Sequence, residues 1–112
     1  ITRGLDRCLF VFTVKEWQAL VNKLTALPLA QANSRAFVRL MLSGATDVEL
    51  DSQGRALVPD YLRKYAGLKK EAIITGLYSR LEVWDRDAWR QYKEKTEASS
   101  DEIAERLGEI GI

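Results

Sequence analysis

The chain has 112 residues, 46% of them hydrophobic and 29% charged, with a formal net charge of +1, so it can build one ordinary domain or two small ones with a modest core. It holds no His and a single Cys, Cys8, which excludes an internal disulfide, Ser-His or Cys-His catalysis and any ordinary zinc site. No apolar run approaches the ~18 residues of a membrane span, and the opening ITRGLDRCLF lacks the apolar core of a signal peptide.

Residues 7–12 alternate as a strand. Thr13-x-x-Glu16 is a capping-box pattern, after which Trp17, Leu20, Val21, Leu24 and Leu27 fall at helical spacing up to Pro28. A second helix is expected over about 33–42, closed by Ser43-Gly44, so that residues 17–44 form a helical hairpin. Val48 and Leu50 alternate with Asp47, Glu49 and Asp51 as a half-buried strand. Asp51-Ser52-Gln53-Gly54 then makes a tight turn in which Gly54 can take positive φ, and Arg55–Val58 resumes as a strand. Pro59 ends it and opens a short helix carrying Tyr61, Leu62 and Tyr65, with Gly67 as the stop. Residues 72–77 read as a buried strand, Tyr78-Ser79-Arg80 as a turn, and Leu81, Val83 and Trp84 as a further strand. A helix from about Arg86 to Lys95, with Asp85 as its cap, precedes a last helix begun by the capping-box pattern Ser99-x-x-Glu102.

Sliding the chain by 72 residues lays Gly4 on Gly76, Leu5 on Leu77, Leu9 on Leu81, Val11 on Val83, Phe12 on Trp84 and Trp17 on Trp89, without a gap. The second copy is preceded by the 45–72 hairpin and helix. The arithmetic therefore predicts an equivalent segment, roughly 25–30 residues, ahead of Ile1.

Residues 54–70 hold Arg55, Arg63, Lys64, Lys69 and Lys70 against Asp60, a local charge of +4, while residues 82–112 carry −4. A basic patch of this kind is either a phosphate footprint or an ordinary solvated helix face. Arg55, leaving a tight turn, has a planar fork suited to bidentate contact with guanine or phosphate. Its alternative is an internal ion pair with Asp51. Asp47, Glu49 and Asp51 could share a strand face as a hard-metal or acid–base site, but alternating acid and apolar residues need no cause beyond a solvated face. The tryptophans fall on capped helices and a strand end, places for core packing rather than base stacking, and Cys8 is expected as a small buried hydrophobe.

LDSQGRALVPDYLRKYAGL (50–68) resembles the AbrB-type swapped-hairpin DNA-binding module, with its D-x-x-x-R turn, Pro and basic helix pair. TRGLDRCLFVF, LPL with SRAFVRLMLSGAT, and RLEVWDRDAW narrow the resemblance to the MraZ family of bacterial transcriptional regulators. That resemblance implies an α+β chain with two AbrB-type modules joined by a helical hairpin. The expected division is 1–16 for the remainder of an incomplete first module, 17–44 for the hairpin, 45–88 for the second module and 89–112 for C-terminal helices. The implied function is sequence-specific transcriptional repression by a homo-oligomer, a ring, on double-stranded DNA with short direct repeats. The setting is cytoplasmic and nucleoid-associated, with no catalytic residue, cofactor, metal, membrane or small-molecule substrate. Arg55, Arg63 and Lys64 are the DNA-binding candidates, with Asp51 and Gly54 organising the turn. An antitoxin-like protein-interaction module, its acidic C-terminal helix docking a basic partner, is the alternative, and a small metal-dependent enzyme using Asp47, Glu49 and Asp51 is a third.

Overall fold

In the computed structural model, which describes residues 1–111, the 72-residue repeat becomes one sheet. Strands β1 (Thr2–Arg3) and β2 (Leu9–Val11) lead into helices α1 (Val14–Thr25) and α2 (Ala32–Ser43). Helix α3 (Asp60–Ala66) then precedes β3 (Ala72–Gly76), β4 (Leu81–Asp85), α4 (Arg86–Ala98) and α5 (Ser100–Gly108). The four strands run antiparallel in the order β1-β2-β4-β3, so the two repeats meet at the β2–β4 pair. At its centre Phe10 faces Glu82, the residue 72 positions on, so the repeats are related by a local twofold.

Helices α1 and α4 leave their strands through equivalent caps. Thr13 accepts the Glu16 N–H at 3.2 Å and Asp85 accepts the Ala88 N–H at 3.2 Å. These bonds satisfy donors that a helix start otherwise leaves orphaned. Ser99 makes no such side-chain bond at the start of α5, although its sequence pattern suggests one. There Ser99 is also the C-cap of α4 (φ −111°, ψ 14°), so its backbone lacks the extended conformation that Thr13 and Asp85 have as caps.

One sheet face carries Cys8, Phe10 and Trp84 under Leu24 and Met41 of α1 and α2, with Ile73 and Trp89 packed at the edge. Trp84 meets Trp89 and Tyr92 at centroid distances of 5.3 and 4.9 Å, and its Nε1 donates to Glu82 at 3.0 Å. Trp84 is buried and Trp17 and Trp89 are half-buried. Burial pushes the Cys8 thiol up to about 12, far from a reactive thiolate. The opposite face is covered at Leu9 by Leu62 and Ala66 of α3, with Val58 and Val83 beside them.

Two further sequence expectations are corrected. Residues 47–50 and 55–58 form no strands. They run as an arm closed only at its tip, and its apolar residues Leu50 and Leu57 are 71% and 86% exposed. Alternation supplies apolar residues for a sheet face, but a lone two-stranded ribbon with nothing against that face is marginal in water. β3 is also not a buried strand, because its Ile74 is 66% exposed at the sheet edge.

Candidate nucleic-acid interface

The arm tip is organised by one carboxylate. Asp51 Oδ1 accepts the Gln53 and Arg55 amide N–H groups, each at 2.9 Å, and Oδ2 accepts Arg55 Nε at 3.0 Å. The Asp51 N–H donates to the Arg55 carbonyl at 2.8 Å and the Gly54 N–H to the Asp51 carbonyl at 3.0 Å, with Gly54 at φ 75°. The Arg55 amide above all holds the Asp51 carboxyl below the usual carboxylate range; desolvation opposes it, and the Gln53 amide and the Arg55 side chain add to the lowering.

Arg55 is therefore both a partner of Asp51 and an outward group. Its side chain is 72% exposed, and its terminal Nη groups make no protein hydrogen bond among the described residues. An exposed pair of this kind contributes little to stability, but it fixes the direction of the guanidinium. The internal pair and the outward fork are thus compatible. With both Asp51 oxygens engaged in the turn and the 47–50 strand unformed, the carboxylates of Asp47, Glu49 and Asp51 do not assemble a site. Among the described residues no cluster of three His, Cys, Asp or Glu could hold a metal ion.

Helix α3 presents the second group. Pro59 supplies the carbonyl that accepts the Leu62 and Arg63 N–H groups, and Gly67, at φ 60°, reverses the chain as its amide returns to Arg63 and Lys64. Leu62 points into the core at 0% exposure, which leaves Arg63 and Lys64 outside. Arg63 pairs with Asp60, and Lys64 has no ion-pair partner among the described residues. The helix is clamped to the first repeat and to the end of α2: Tyr65 Oη donates to the Gly4 carbonyl at 2.6 Å and Tyr61 Oη to the Gly44 carbonyl at 2.9 Å. Lys69 is drawn to buried Asp85 at 3.6 Å, away from this surface.

The fold adds a residue to the candidates. The Arg7 guanidinium lies 5.2 Å from the Tyr65 ring centroid, which brings a third exposed cation onto α3. Nothing in the local sequence marks it, since its repeat partner is Ser79 and it lies far from α3 along the chain. Arg55 is joined to α3 only through residues 56–59, so the candidates form two groups, a tip and a helix face.

A family described as "MraZ protein, putative antitoxin-like" matches residues 41–109, which include the arm, α3, the second repeat and both C-terminal helices. The chain belongs to the MraZ family. A relative from Alkaliphilus metalliredigens (strain QYMF), named transcriptional regulator MraZ, is 50% identical over all 112 residues and is covered over 78% of its own length. The α+β fold, five helices beside a small antiparallel sheet among the described residues, agrees with that membership. No helix among those residues is long and apolar enough to cross a membrane.

Proposed function

We propose that this protein is a sequence-specific DNA-binding transcriptional repressor, acting as a homo-oligomer on short direct repeats, in the cytoplasm and at the nucleoid. The observation that carries the proposal is the Asp51–Arg55 turn, a self-braced tip with an outward guanidinium. Arg55 reads a base edge or grips a phosphate in a bidentate way, Arg63 and Lys64 hold the backbone, and Asp51 and Gly54 keep the turn in shape. Family membership and the name of the relative support a regulator rather than an enzyme.

One tip and a helix face make few contacts, so a single chain binds weakly and with strong salt dependence. Several tips on one assembly, spaced to match repeated sites, raise the effective concentration of each for the next. The exposed Leu50 and Leu57 and the unpaired arm backbone support an oligomer, because a neighbouring copy would cover them. In the same proposal residues 1–16 and 45–88 act as AbrB-type units, residues 17–44 join them, and residues 89–112 follow as the C-terminal segment.

The test is a titration against a duplex with short direct repeats and a shuffled duplex at two salt concentrations. The expected result is tighter binding to the repeats, lost by at least tenfold in Arg55→Ala, a change equivalent to about 1.4 kcal/mol and within the range of one bidentate contact. The thermal midpoint of that variant should stay within about 2 °C, because an exposed pair contributes little. Equal affinity for the two duplexes would overturn the proposal. The description of the family as antitoxin-like favours a second reading, in which α5 docks a basic protein partner. Capture of such a partner that depends on residues 99–112, without DNA binding, would select it.

A further inference from the structure

We infer that α5 of one copy docks into the cleft between α1 and α2 of the next, giving a head-to-tail contact separate from the DNA-facing tip. The inference rests on the oligomeric part of the proposed function. Helix α5 carries Ile103 and Leu107 at i and i+4, one apolar stripe, and Ile110 follows in the turn beyond its end; these residues are 41%, 38% and 72% exposed. Every described residue from 100 to 111 is exposed, so the stripe has no cover on its own chain. Glu102 and Glu109 each precede one of these apolar residues, Glu102 accepts from Arg106 at 2.9 Å, and residues 99–111 hold four acids against that one base.

The α1–α2 end is the complement. A cleft of about 340 Å³ is lined by Leu24, Leu27, Leu29 and Val38 with Arg35 and Arg39 at its rim, and no carboxylate lines it. Leu29 is 82% exposed there. Arg35 Nη1 is held by the Leu29 and Ala30 carbonyls, at 3.1 and 3.0 Å, which fixes one cation at the rim. Neither Arg35 nor Arg39 has a carboxylate partner among the described residues. Residues 14–43 hold Lys15, Lys23, Arg35 and Arg39 against Glu16, a charge of +3, and residues 99–111 carry −3. Apolar stripe to apolar cleft, and acidic segment to basic rim, is the pattern of an amphipathic helix in a groove. Both halves lie on every copy, so the contact is heterologous and propagates from chain to chain. The nine residues of α5 span only about 14 Å, so one contact is weak. Closure of a ring, with every copy held twice, makes the assembly firm.

The test is the mass of the assembly without DNA, measured on the full chain against concentration. Arg39→Glu alone and the pair Glu102→Arg/Glu109→Arg alone are each expected to weaken association at least tenfold. Combining all three in one chain should restore it, because the swapped charges still match. Mixing the Arg39→Glu chain with the Glu102→Arg/Glu109→Arg chain should restore an alternating assembly, as each chain's helix then matches the other's groove. Leu107→Glu, at an exposed position, should abolish association while circular dichroism keeps the helical signal. Unchanged mass in the single-sided variants, or failure of the combined variant to recover, would overturn the contact. So would a mixture that stays monomeric. Loss of duplex preference with the assembly intact would instead count against the proposed function and leave this contact standing.

Discussion

Leu9 and Leu81 hold the same place in two copies of one unit, yet Leu9 is fully buried and Leu81 is 45% exposed. The difference begins with α3, which belongs to the second repeat along the chain but lies across the strands of the first, through Leu62 and Ala66 on Leu9 and through Tyr65 on Gly4. It continues in the turns. In the first hairpin the Gly4 N–H reaches the Cys8 carbonyl around Asp6 and Arg7, at φ 61° and 62°. In the second the Leu77 N–H reaches the Arg80 carbonyl around Tyr78, at φ 69°. The first loop is one residue longer, so Thr2 pairs with Phe10 whereas its repeat partner Ile74 pairs with Val83. A slip of one residue exchanges sheet faces. Thr2 is thereby buried, with its hydroxyl donating to the Met41 carbonyl at 2.6 Å, and Ile74 is left in solvent. Identical strand patterns do not fix burial; turn length and the covering element do.

The comparison can be broken at matched positions. The largest effect is expected for Leu9→Ala, which opens a cavity under α3 and should cost about 2–5 kcal/mol. Leu81→Ala should cost less than about 1 kcal/mol, since a half-exposed side chain loses less burial. Chemical denaturation of the two variants measures both, and equal losses would mean that the two faces are equally covered. Next comes Gly4→Ala against Gly76→Ala. A Cβ on Gly4 would stand 2.5 Å from Phe10 Cδ1 and 2.9 Å from the Cys8 carbonyl, whereas on Gly76 the nearest atom is Leu81 Cδ2 at 3.7 Å. The first should cost about 1–3 kcal/mol by overpacking. The second should lie near zero, and a large loss there would show that the second hairpin is as tightly packed as the first.

The smallest effect separates the helix caps. Thr13→Ala should cost about 1 kcal/mol at every pH, because a hydroxyl cap does not titrate in this range. The Asp85 carboxyl is held below its ordinary value of 3.8, first by the Ala88 amide and further by Lys69. Its contribution is therefore complete above that value and is lost as pH falls through the lower folded value. The gap between wild type and Asp85→Asn should be open at neutral pH and close below about pH 3.8. Thermal melts of both variants across pH 2–7 decide it, and a gap for Asp85→Asn that persists in strong acid would remove the charge from the explanation.

Much of this molecule could be read from the residues alone. The repeat at 72 positions became a local twofold, the caps at Thr13 and Asp85 formed, and Pro59 and Gly67 bounded α3. Those features are local: a hydroxyl three residues from an amide, a ring that fixes φ, a glycine free to turn left-handed. The Asp51–Arg55 turn was legible for the same reason, since its bonds close within five residues. Tertiary structure decided the rest. Arg7 joins the α3 surface only because Tyr65 carries that helix onto the first hairpin. The arm at 47–58 has the alternation of strands but stays unpaired, because a ladder needs a second edge and an apolar face to lie on, and alternation specifies neither. The sequence by itself determined the elements and their ends, through contacts a few residues apart. Which faces were covered, and which ring Arg7 lies over, depended on chain segments far apart along the sequence that only packing brings together.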